Sequence, residues 1–191
     1  VNVLHRRSEC HRRRGHGGRW LLDLKEALRI EPENAITHLN LSVAYSAQGQ
    51  SAQAMSHARE AVTWNANIPE AHLHLARLLI ARDKIDEAAE TLDVAFDLGV
   101  QDPRERMQYA HVLLRAGRLP EAEHHAVRVT MVTPDDPLAW GVLAEVLYSR
   151  NRLSDAMEAL RIGLQNAPGH AGLIGLRNSF QNPSSRPEFG P

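Results

Sequence analysis

The chain has 191 residues, a mass of 21.3 kDa and a formal net charge of −1, so no strong whole-chain field draws it to nucleic acid or to an anionic membrane. A single cysteine excludes an intrachain disulfide framework and any multi-Cys zinc or iron–sulfur site, and no apolar run approaches the ~18 residues that span a bilayer. Ala (25) and Leu (24) supply most of the apolar share while aromatics reach only 5%, a balance that favours helices over sheets.

From the N-terminus, residues 1–20 carry Arg6, Arg7, Arg12, Arg13, Arg14 and Arg19 against Glu9. This stretch is basic and lacks the apolar core of a secretion signal. With Gly15, Gly17 and Gly18 it is expected to be irregular over 1–19. His5, Cys10, His11 and His16 match no common metal-ligand spacing. The chain opens with Val1 rather than Met, as expected of a fragment.

Beyond this segment the sequence repeats itself. Ala54, Ala88, Ala122 and Ala156 lie 34 residues apart, and Leu41, Leu75, Tyr109 and Leu143 keep the same interval. So do the small residues Ser42, Ala76, Ala110 and Ala144, and the large ones Tyr45, Leu79, Leu113 and Leu147. A fifth column, Gly49, Asp83, Gly117 and Asn151, contains the residue types that tolerate positive φ, so it predicts a left-handed turn ending a helix in each unit. Within the second unit one helix is predicted from Glu70 to Arg82, with Leu75, Ala76 and Leu79 on one stripe. The next runs from Ile85 to Leu98 and turns Ala88, Leu92 and Ala95 inward. Pro69, Pro103 and Pro137 suit helix starts, where a missing N–H costs nothing, and Asn67, Asp102 and Asp136 precede them as cap or turn residues. Residues 181–191, with Pro183, Ser184, Ser185, Pro187 and Pro191, read as a solvated tail.

These columns resemble the tetratricopeptide repeat (TPR). The unit Trp140, Leu143, Ala144, Leu147, Ala156, Leu160, Gly163, Pro168 carries the pattern, as do His38, Leu41, Ser42, Tyr45, Ala54, Ala58 and Ala61 in the first full unit. The resemblance covers about Trp20 to Ile174, with full units at 35–68, 69–102, 103–136 and 137–170. Residues 20–34 read as the second helix of a partial repeat, with Trp20 where the pattern has Ala, and 171–180 as a capping helix. The fold this implies is all-α: a TPR-type αα-superhelix whose first helices line a concave face.

On that face the resemblance places Asn40, Val43, Ser46 and Ala47, then Glu70, Leu73, His74, Arg77 and Ala81. Arg104, Met107, Gln108, His111 and Arg115 follow, then Leu138, Val142, Glu145 and Ser149. The partner-binding candidates are Asn40, His74, Arg77, Gln108, His111, Arg115 and Glu145, a mixed surface suited to a peptide with an acidic group and some apolar side chains. TPR domains that grip chaperone C-terminal carboxylates use a Lys/Asn clamp. Asn40 matches one position, but Leu39, Val43, Leu73 and Met107 do not supply its partners, and the two lysines, Lys25 and Lys84, lie elsewhere, so no such clamp is expected.

No catalytic constellation emerges. No H-E-x-x-H, phosphate-binding Gly-rich loop or G-x-S-x-G is present. Asp86, Glu87, Glu90, Asp93 and Asp97 read as a solvated face, His72 and His74 point to different faces, and His124 and His125 are expected to point outward. Trp64 and Trp140 read as packing residues, and Cys10 has no placed base. The expectation is a non-catalytic interaction scaffold or adaptor with a protein or peptide partner, no cofactor, no metal, no nucleic acid and no membrane span, and with a cytoplasmic setting favoured. The alternatives are the TPR lobe of a larger glycosyltransferase- or sulfotransferase-type enzyme, or a bacterial envelope assembly factor.

Overall fold

A computed structural model gives the structure, described here for residues 17–182. The basic stretch with His5, Cys10, His11 and His16, and the Pro/Ser tail, lie outside these residues. The described residues form ten α-helices and no strand, in two compact units divided after Val100. The first unit holds α1 (Gly17–Ile30), α2 (Ala35–Ala47), α3 (Ser51–Trp64), α4 (Pro69–Ile80) and α5 (Ile85–Asp97). The second holds α6 (Pro103–Arg115), α7 (Leu119–Val132), α8 (Pro137–Ser149), α9 (Leu153–Asn166) and α10 (Ala171–Gln181). α1 begins inside the segment expected to be irregular. A helix's first turn leaves its N–H groups without intrahelical partners in any case, so glycine is tolerated there, and Trp20 anchors the turn by burying its indole beside Leu24, Leu41 and Tyr45.

The turn column behaves as its residue types require. Gly49 (φ 72°), Asp83 (58°), Gly117 (72°) and Asn151 (60°) are all left-handed. In each case the following N–H donates back across the turn to the large-residue column: Gln50 to the Tyr45 carbonyl (2.9 Å), Lys84 to Leu79 (3.0 Å), Arg118 to Leu113 (2.9 Å) and Arg152 to Leu147 (2.9 Å). This is the six-to-one bond of a Schellman cap. One more left-handed residue, Gly99 (φ 95°), falls outside the column and ends α5.

At the helix starts, Pro69, Pro103 and Pro137 sit in the first turn. Asp102 and Asp136 are caps, accepting from Arg104 N (2.8 Å) and Leu138 N (2.9 Å). Asn67 is not: Ile68 occupies the cap position of α4 without a side-chain bond, and Asn67 N instead donates to Asn65 Oδ1 (3.0 Å), so the asparagine that shapes this turn is Asn65.

Each helix pair closes on the predicted stripes. Leu75, Ala76 and Leu79 of α4 are buried, as are Ala88, Leu92 and Ala95 of α5. A further 34-residue column holds His38, His72, Arg106 and Trp140. His38 Nε2–H donates to the Pro32 carbonyl (2.9 Å), His72 Nε2–H to Ala66 (2.8 Å) and Trp140 Nε1–H to Pro134 (2.7 Å), each acceptor lying six residues upstream. A carbonyl only accepts, so both imidazoles carry their proton on Nε2. These three side chains satisfy backbone carbonyls in the connections that precede α2, α4 and α8. In the second unit α10 docks Leu173 and Phe180 into the core, Phe180 stacking on Tyr148 at 4.1 Å between ring centroids. Its positions in register with Leu143, Ala144 and Leu147 are Arg177, Asn178 and Gln181, all exposed, so its far face is polar.

Candidate functional site

The faces that carry the candidate residues are built separately in each unit. In the first, α2 lies beside α4. Ser42 is the one hydroxyl in an otherwise all-Ala column, and it is fully buried. Its Oγ–H donates to the Ala54 carbonyl (2.6 Å), which leaves the oxygen to accept from His74 Nε2–H (2.9 Å). His74 is thereby held as one tautomer with Nδ1 free to accept. Burial, aided by the Arg77 guanidinium one turn on, holds its pKa below the ordinary histidine value, so the ring is neutral near pH 7. Arg77 is exposed in the last turn of α4, where a cation suits the helix C-terminus. Asn40 is half-buried on α2, and its side-chain amide forms no hydrogen bond within the described residues.

In the second unit α6 lies beside α8. Gln108, His111 and Arg115 are exposed on α6, and His111 is lowered in pKa by desolvation and by Arg115. Glu145 of α8 is half-buried, and its carboxylate forms no hydrogen bond or ion pair with any described residue. Burial pushes its carboxyl above the usual carboxylate range. Geometry therefore joins His74 to Ser42 and sets Arg77 one turn away, while Glu145 stands by itself. Ser42 is the site residue that sequence reasoning missed. Its signal was legible: a serine in a column otherwise filled by Ala.

Two other expectations change. His125 does not point outward. It is half-buried, packs on Tyr109 at 4.5 Å between ring centroids, and its Nδ1 accepts from the Arg106 guanidinium (3.1 Å). Desolvation first, then Arg106, lowers its pKa to about 4. Adjacent helical residues point about 100° apart, so one of a His-His pair turns inward when the other, here His124, faces solvent. Trp64 is not a packing residue, being 44% exposed at the end of α3. Trp140 does pack, covering Gly163, where an added Cβ would stand 2.8 Å from Trp140 Cβ. The acidic second-helix face is solvated, with Glu87 bridging to Arg59 (2.8 Å) and Lys84. Among the described residues no group of three His, Cys, Asp or Glu could hold a metal, and no helix is long and apolar enough to cross a membrane.

Paired antiparallel helices, repeated at 34 residues with a Schellman turn in each pair, define a helix–turn–helix solenoid, a class whose side chains serve as interaction surfaces. Two models of the tetratricopeptide repeat match residues 47–105 and 109–171. The chain belongs to the tetratricopeptide repeat family. No curated protein matches it in sequence. Among solved structures it is similar to YrrB, described as a TPR protein with an unusual peptide-binding site, at 16% identity over 87% of this chain and 86% of that one, with a TM-score of 0.73. It is similar to MamA at 17% identity over 89% and 93%, with a TM-score of 0.76, and to PilF of Pseudomonas aeruginosa at 18% over 96% and 85%, with a TM-score of 0.70. At these identities the likeness is one of fold.

Proposed function

We propose that the protein is a non-catalytic interaction scaffold that binds a protein or peptide partner on the first-helix faces of its two units. Family membership supports the general role. Glu145 carries the particular reading: a half-buried carboxylate without an internal partner is costly unless something pairs with it. A basic side chain or an N–H donor from a partner meets that need. In the first unit Asn40, His74 and Arg77 offer a free amide, an imidazole acceptor and a guanidinium, a set suited to peptide backbone and to an acidic side chain. Gln108, His111 and Arg115 extend the same polar character in the second unit.

Affinity capture with the full chain, followed by titration of the captured partner, tests this. Glu145→Gln and Arg77→Glu are each expected to weaken binding about tenfold or more, the scale of one lost charge-assisted contact. Affinity unchanged in both variants would place binding on other surfaces.

A further inference from the structure

His38 and His57 meet inside the first unit with Nδ1 against Nδ1, 3.0 Å apart. Two ring nitrogens at that distance share one hydrogen. His38 spends its Nε2–H on the Pro32 carbonyl (2.9 Å) and is itself buried, so neither its tautomer nor its position is free to adjust. In the neutral pair, therefore, His38 Nδ1 is the acceptor and His57 Nδ1–H the donor. One added proton leaves the bond in place, since His57 takes it on Nε2, or His38 becomes the donor and His57 the acceptor. A second added proton puts N–H on both facing nitrogens, and the bond becomes a repulsion.

The surroundings sharpen this. Tyr45 stacks on His57, 5.4 Å between centroids with the planes 5° apart, and the Lys25 ammonium from α1 lies 5.8 Å from the same Tyr45 ring. A charged His57 would thus share the Tyr45 ring with a second cation, Lys25. Among the charged groups, Glu60 on α3 favours the cation, while Lys25 on α1 and His38 on α2 oppose it, and α4 adds no charge to that balance. Burial is the largest influence and also opposes it.

We propose that the His38–His57 pair is a proton-counting latch between α2 and α3, closed with none or one extra proton and opened by the second. It makes the first unit acid-labile through two coupled protonations, of which the second breaks the bond. The register of the repeat suggests the control: Trp140 occupies the column of His38 and makes the same bond to an upstream carbonyl with a group that does not titrate. His38→Trp, combined with Ala61→Gly because Gly163 faces Trp140 in its own repeat, should therefore keep the stitch to Pro32 and lose the latch.

Thermal unfolding of the full chain and of the His38→Trp/Ala61→Gly variant between pH 7.5 and pH 4.5 tests the proposal. The wild type is expected to lose roughly 2–4 °C more than the variant over that range, every other histidine being common to both. If the Trp variant does not fold, His57→Asn provides the same comparison. Nitrogen-15 chemical shifts of the histidine rings are expected to show a neutral His38 protonated on Nε2 and two-step titration of the pair. Equal slopes for wild type and variant, or a neutral His38 carrying its proton on Nδ1, would overturn it.

Discussion

The column that places His38 in the first unit places Arg106 in the second, and each meets a histidine 19 residues further on, His57 or His125. The geometry is nearly the same, with nitrogen–nitrogen distances of 3.0 and 3.1 Å. The chemistry is not. An imidazole facing an imidazole can trade a proton; an imidazole facing a guanidinium can only accept, because arginine never gives its proton up. The first unit thus holds a contact in which both rings can take a proton, where in the second only His125 can. A second contrast follows the same column. Around Trp140 the facing column is smaller: Ala61 in the first unit corresponds to Gly163 in the second, where a Cβ would stand 2.8 Å from Trp140 Cβ and from Leu173 Cδ1. A repeat protein keeps its spacing and redistributes volume and charge within it.

The largest effect should come from positions where the units agree. Leu79→Ala and Leu113→Ala remove equivalent buried side chains and should each cost ~2–5 kcal/mol in denaturant unfolding. A cost below about 0.5 kcal/mol at either would show that its register is misassigned. Gly163→Ala should cost ~1–3 kcal/mol by overpacking against Trp140 and Leu173. The reverse change, Ala61→Gly, meets no such wall and should cost only about 1 kcal/mol, the helix propensity of Gly against Ala. Equal losses would dissolve the volume contrast.

The smallest effect is in the pH dependence. His125 has its folded pKa lowered to about 4 from an ordinary 6.5, so the folded state binds fewer protons than the unfolded one. Its contribution is complete above pH ~6.5 and is lost as pH falls towards 4. Because the ring is half exposed, solvent screening trims that contribution to roughly 1 kcal/mol. His125→Gln should flatten that part of the stability profile in a single step, against the two coupled steps expected of His38 and His57. Two-step behaviour from His125 would erase the distinction between the units.

Much of this was legible before any coordinates. The left-handed turns at Gly49, Asp83, Gly117 and Asn151, the prolines opening α4, α6 and α8, and the buried Leu and Ala columns all follow from local rules: which residues tolerate positive φ, which lack an N–H, which leave water. The candidate faces were legible as helix positions for the same reason. What periodicity could not supply was the pairing of polar side chains. That Ser42 would hold His74, that His125 rather than His124 would turn inward, and that Trp64 would stand in solvent depend on contacts between residues 12 to 32 positions apart and on the rotation of each helix against its neighbour. Repetition at 34 residues determines a chain of helix pairs because it reports where apolar surface must be hidden. Which nitrogen faces which oxygen is decided only by packing, since a hydrogen bond depends on tenths of an ångström that a sequence pattern does not carry.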